Sequence, residues 1–168
     1  MSTTLDETDR TFLREAIAVS QRALLNEGNT PFRAIIVVGG EVVGEGTSRV
    51  VELNDPTAHA EVMALRDAGT KLGRHLMEDA VMYCSSEPCP MCLTACYWAR
   101  LPRLVFGATA HDVATMGFED LQLYRELALP LERRSLREDP ADDPLRAEAV
   151  ACLRAWADRV AGGVTPKY

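Results

Sequence analysis

The chain has 168 residues, 47% hydrophobic and 26% charged, a balance that excludes disordered and fibrous classes and predicts one single domain over residues 1–168. With 18 basic against 25 acidic residues the net charge is -7, which argues against the sequence-independent nucleic-acid binding that basic residues drive. No uninterrupted apolar run exceeds the length of Ala34–Val38, far below the ~20 residues of a membrane-spanning helix, and no charged-then-apolar leader precedes Ser2-Thr3-Thr4, so a cytoplasmic chain is expected.

Apolar residues at Phe12, Ala16, Ile17, Val19, Ala23 and Leu24 recur with helical period from Asp9 to Glu27, with Gly28 as the expected stop. Ala34–Val38 is β-branched and reads as a buried strand. Gly39-Gly40 then turns the chain into a second strand, closing a hairpin. Asn54-Asp55-Pro56-Thr57 has turn chemistry, and Thr57 is the expected cap of a helix running to Ala68. Ala80–Ser85 and Arg103–Ala108 read as strands flanking a helix at Met91–Arg100. Helices at Glu119–Leu127 and Leu145–Val160 follow, separated by an acidic connection with Pro130, Pro140 and Pro144. Alternating strands and helices imply parallel pairing with helices on both faces, and the hairpin adds an antiparallel edge. The expected fold is therefore an α/β three-layer α/β/α sandwich with a mixed sheet. Arg133, Arg134 and Arg137 could form a local basic patch but read as a solvated face.

Two short segments carry the chemistry. In Pro88-Cys89-Pro90-Met91-Cys92 two sulfurs stand one turn apart at a helix start, where Pro90 fits the first position and the helix terminus favours thiolates. His59-Ala60-Glu61 follows the earlier turn. Cys89, Cys92 and His59 make three soft-to-borderline ligands, and three ligands on tetrahedral zinc leave a position for water, the mark of a catalytic site. Cys84 and Cys96 lie in apolar stretches and are expected in the core. Glu61, in the first turn beside His59, can take the proton of a metal-activated water. A redox dithiol is the competing reading of Cys-x-x-Cys, and the upstream His-x-Glu weighs against it. His-x-Glu followed by Pro-Cys-x-x-Cys is the known signature of zinc deaminases acting on nucleobases.

Asn54-Asp55-Pro56-Thr57-Ala58-His59-Ala60-Glu61, Ser86–Cys92, Tyr97-Trp98-Ala99-Arg100, Gly117-Phe118-Glu119-Asp120 and the terminal Lys167-Tyr168 resemble the cytidine-deaminase-like superfamily, and within it the bacterial guanine deaminases. The resemblance spans essentially the whole chain. It implies a five-stranded mixed sheet, one zinc per chain on His59, Cys89 and Cys92, and Glu61 as proton shuttle. It further implies that Asp120 reads the purine's amino edge and that Phe32, Ser48, Asn54 and Trp98 lie at the substrate. A homodimer is implied in which residues 162–168, with Tyr168, are swapped onto the partner's site.

Two positions depart from the family pattern. Arg33 replaces a glycine after Pro31-Phe32, and Ser48 stands where an asparagine contacts the base. The expected reaction is hydrolysis of guanine to xanthine and ammonia. The alternatives are deamination of a related amino-heterocycle (guanosine, another aminopurine, a triazine or a pterin), a tRNA adenosine deaminase, and a non-catalytic zinc scaffold.

Overall fold

In the computed structural model, which describes residues 4–23 and 30–159, the strands fall where the β-branched runs stand. The order is α1 (Glu7–Ala23), β1 (Arg33–Val38), β2 (Glu41–Thr47), α2 (Val50–Leu53), α3 (Ala60–Leu72), β3 (Ala80–Ser86), α4 (Pro90–Trp98), β4 (Arg103–Ala108), α5 (Ala110–Thr115), α6 (Asp120–Ala128), a 3-10 turn (Leu131–Arg133) and α7 (Asp143–Ala157). The chain divides into two compact units, residues 1–125 and 126–168. The expected stop at Gly28 and the end of the last helix at Val160 lie outside the described residues.

The sheet belongs to the first unit, with order β2-β1-β3-β4. Gly39 and Gly40 both take positive φ, 59° and 86°, the geometry a tight hairpin turn needs. β1 pairs antiparallel with both β2 and β3, whereas β3 and β4 are parallel. Hence β2, β3 and β4 share one direction and β1 alone opposes it. The sheet is mixed, as expected, but has four strands among the described residues, not five. After β4 the chain turns helical at once: Thr109 and Asp112 form a reciprocal capping box that starts α5, and Gly117, at φ 89°, leads on to α6.

Alternation along the strands separates two cores. Ala34, Ile36, Ala80, Met82 and Cys84 point to the face covered by α3 and α4. Ile35, Val37, Tyr83 and Val105 point to the face covered by α1 through Ala16, with Phe12 packed alongside. Ala60, Ala64 and Ala68, at helical spacing, lie against β2, where a Cβ on Gly46 would stand 1.9 Å from the Ala60 carbonyl oxygen. This approach of backbone to backbone fixes the N-terminus of α3 against the sheet.

One capping expectation is corrected. Asp55 Oδ1 accepts both the Thr57 N–H (2.8 Å) and the Thr57 hydroxyl (2.6 Å), so Thr57 closes the turn and the helix starts two residues later, with His59 at its N-cap. In the second unit, Arg134 pairs with Glu138 and Arg137 with Asp139, so these arginines sit among acids on an exposed surface.

Candidate active site

Because β2 and β3 run the same way, the segments leaving their C-terminal ends reach one edge of the sheet, where ligand sites of α/β folds form. His59 caps α3 and Cys89 caps α4, each in extended conformation. The carbonyl of His59 accepts from Met63 N–H and that of Cys89 from Leu93 N–H, both at 2.9 Å, so each residue begins a helix while its side chain stays outside the helical ladder. Pro90 takes the first helical position of α4, as the sequence predicts.

The ligand atoms of His59, Cys89 and Cys92 lie within 4.8 Å of one another, and His59 Nδ1 stands 3.7 Å from Cys89 Sγ. Tetrahedral zinc with Zn–S of about 2.3 Å and Zn–N of about 2.0 Å sets neighbouring donors about 3.5–3.8 Å apart, so the trio fits this ion. The protein itself prepares the donors. A hydrogen bond from Cys92, together with His59, lowers the pKa of Cys89, while the same bond and burial raise that of Cys92. The hydrogen bond to Cys89 raises the pKa of His59. Cys84 and Cys96 belong to the core, where burial pushes Cys96 up to about 12, and neither joins the cluster.

Glu61 lies in the first turn of α3 and is only 5% exposed. Burial raises its carboxyl pKa, against an opposing hydrogen bond from Cys92. A buried carboxylate beside a metal cluster is costly to keep without a task for its charge or proton.

A cleft of about 210 Å³ opens on these groups, with His59, Glu61 and Cys89 in its wall. Phe32 and Phe118 form one side as an edge-to-face pair with centroids 4.8 Å apart and planes at 76°. Ser48 and Asp120 also line it; burial pushes the Asp120 carboxyl upward, reinforced by the charge on Cys89. Arg49 and Glu52, paired across α2, form part of the wall, as does Glu87, whose Oε2 accepts the Ala110 N–H at 2.7 Å.

The other residues singled out in the sequence stand elsewhere. Asn54 closes α2 in left-handed conformation at φ 50° and is not part of the cleft wall. Trp98 ends α4, 53% exposed and also outside that wall. Arg33 opens β1; its N–H donates to Ser85 Oγ at 3.1 Å, and its Nε and Nη1 are shut off from solvent. Tyr168 lies outside the described residues. Sequence reasoning missed Phe118, Glu87 and the Arg49–Glu52 pair. Phe118 sits inside a recognisable segment, yet only the fold brings its ring against Phe32.

Residues 6–108 match the cytidine and deoxycytidylate deaminase zinc-binding region. The chain is 42% identical over 147 residues to guanine deaminase of Bacillus subtilis (strain 168), an alignment covering 87% of this chain and 92% of that one. It is 38% identical over 97 residues to the tRNA-specific adenosine deaminase of Aquifex aeolicus, covering 58% and 64%. The crystal structure of guanine deaminase from Bacillus subtilis superposes with a TM-score of 0.85 and 35% identity, covering 95% of this chain and 99% of that one.

Proposed function

The chain belongs to the cytidine and deoxycytidylate deaminase zinc-binding family, and within it we propose a guanine deaminase, a hydrolase that converts guanine and water to xanthine and ammonia. It acts on the C–N bond of a cyclic amidine and uses zinc. The observation that carries this reading is the convergence, on one aromatic-walled cleft, of a three-donor metal cluster and the buried Glu61. A purely structural metal site has no use for a carboxylate in that place.

His59, Cys89 and Cys92 would hold the zinc, which when bound would supply a water activated for attack near neutral pH. A Glu61 carboxylate oxygen takes one proton of the water and delivers it to the ring nitrogen beside the attacked carbon; it then takes the proton of the new hydroxyl and passes it to the departing amine. The new C–O bond replaces the broken C–N bond, and ammonia leaves. Asp120 accepts hydrogen bonds from N–H groups on the purine edge, and Phe32 holds the flat ring. Ser48 contributes from the hairpin side, whereas Asn54 and Trp98, which family likeness assigns to the substrate, stand outside the cleft wall and are given no role in this reading. A homodimer in which residues 162–168 of one subunit cover the partner's cleft with Tyr168 belongs to the same reading, as does a cytoplasmic location; among the described residues no helix is long and apolar enough to cross a membrane.

Ammonia release from the zinc-loaded protein across guanine, guanosine, adenine, cytosine, ammeline and aminopterins tests this assignment. Turnover of guanine is the expected result. Guanine inert while another member reacts would overturn it in favour of a re-specified pocket, a reading that Arg33 beside Phe32 and Ser48 in the cleft wall favour. Removing Lys167 and Tyr168 should abolish turnover without changing the melting temperature, and full activity would remove the swapped segment from the reading.

A further inference from the structure

The helix that presents Asp120 is held to the protein in an unusual way. None of the residues of α6 is buried, so core packing does not fix where the helix begins. Tyr124 stands four residues after Asp120, one turn along the same face. Its hydroxyl donates to the Pro88 carbonyl oxygen at 2.8 Å, and Pro88 is a fully buried residue directly before the metal-cluster residue Cys89. The same loop is held from the other side, where Glu87 N–H donates to the Ala108 oxygen at 2.7 Å and the Glu87 carboxylate accepts the Ala110 N–H. The loop before Cys89 is therefore anchored to the sheet, and Tyr124 ties the surface helix to that anchor.

We propose that Tyr124 is a positioning residue for substrate recognition: its hydrogen bond to Pro88 sets the distance between Asp120 and the metal cluster. The inference rests on the reading of Asp120 as the group that accepts from the purine edge. The phenol ring reaches the loop from α6 while Asp120, at the start of the helix, faces the cleft. Loss of the hydroxyl leaves the ring in place but lets the helix start drift, so the purine edge and the attacked carbon are no longer held at matched positions. Such a fault weakens substrate binding more than it slows the chemical step.

Tyr124→Phe, Asp120→Asn and the double variant, each loaded with zinc, provide the test through steady-state kinetics with guanine, metal analysis and thermal melting. Tyr124→Phe should raise KM about 3- to 10-fold, the range one lost hydrogen bond supports, with kcat within about twofold and zinc content unchanged. Adding Tyr124→Phe to Asp120→Asn should change KM by less than about twofold, because the group it positions is already disabled. Equal fold-losses in both backgrounds would overturn the proposal while leaving the role of Asp120 standing. A fall in zinc content and kcat would overturn it too, assigning Tyr124 to the metal loop instead. An Asp120→Asn variant with unchanged KM and kcat would overturn the reading of Asp120 and this proposal with it.

Discussion

The two faces of the sheet are built differently. Towards α1, large side chains fill the space: Phe12 and Tyr83 lie with ring centroids 5.4 Å apart, and Asp9, 2% exposed, accepts from the Tyr83 hydroxyl at 2.9 Å and from Arg103 at 2.7 and 2.5 Å. Towards α3, the strand β2 offers Gly44 and Gly46 to Ala60, Ala64 and Ala68, where backbone atoms and the small Ala68 Cβ fill the space a side chain would need. Long side chains can repack around a change, whereas touching backbones cannot. The face that carries His59 and Glu61 thus trades tolerance for fixed position, and the α1 face serves stability.

That contrast can be broken at graded cost. The largest effect is expected at Glu61→Gln, which keeps shape and burial but removes the proton acceptor. Its kcat should fall by about 10²–10⁴-fold with zinc retained, as ammonia release and metal analysis would show. Near-normal turnover would remove Glu61 from the reaction. Gly46→Ala comes next. Its Cβ would stand 1.9 Å from the Ala60 oxygen and 2.5 Å from the Ala64 nitrogen, so α3 must shift. A loss of about 1–3 kcal/mol in urea unfolding, with at least about tenfold loss in kcat/KM, would tie stability and catalysis together on this face.

The smallest catalytic effect is expected at Asp9→Asn. Stability should drop by about 1–3 kcal/mol, because Arg103 and Tyr83 lose their charged acceptor, while kcat/KM of the folded protein stays within about twofold. A fall in kcat/KM as large as that of Gly46→Ala would erase the distinction between the faces. The pH dependence sharpens it further. The hydrogen bond from Arg103, aided by that from Tyr83, lowers the Asp9 pKa against the cost of burial. The folded state therefore releases this proton more readily than the unfolded chain, and the contribution is present above the unfolded pKa of about 3.9. It fades as pH falls through the lower folded value. Urea titrations from pH 7 downwards should show wild type losing more stability than Asp9→Asn at the acid end.

The two faces also differ in how well they could be read. Four strands and the metal-cluster residues follow from local pattern: β-branched runs alternate across a sheet, and Cys89, Cys92 and His59 stand at helix starts that the turn residues announce. Thr57 misled because an Asx turn and a helix cap use the same residue types, and the choice between them depends on Asp55 reaching back. The short helices α2 and α5 were missed. Four residues, Val50–Leu53, are too few to show a period, and the Thr109–Asp112 box precedes a single run of six. The fifth strand came from family likeness, not from any run in this chain. The cleft wall was the least legible part. Phe32 and Phe118 are 86 positions apart in the sequence, and no local spacing brings them together. Glu87 looks like an ordinary charged loop residue until Ala110 N–H is found beside it.

The shared direction of β2, β3 and β4 also bears on how such an enzyme changes its diet. The segment after β3 carries the two cysteines, whereas the segments after β2 and β4 carry Ser48 with Arg49 and Phe118 with Asp120. His59 and Glu61 also follow β2, so of these segments only the one after β4 adds cleft wall without a residue of the metal cluster. On the proposed reading, exchange of residues after β4 can re-tune which heterocycle is accepted while the metal-cluster residues and Glu61, which follow β2 and β3, are inherited untouched.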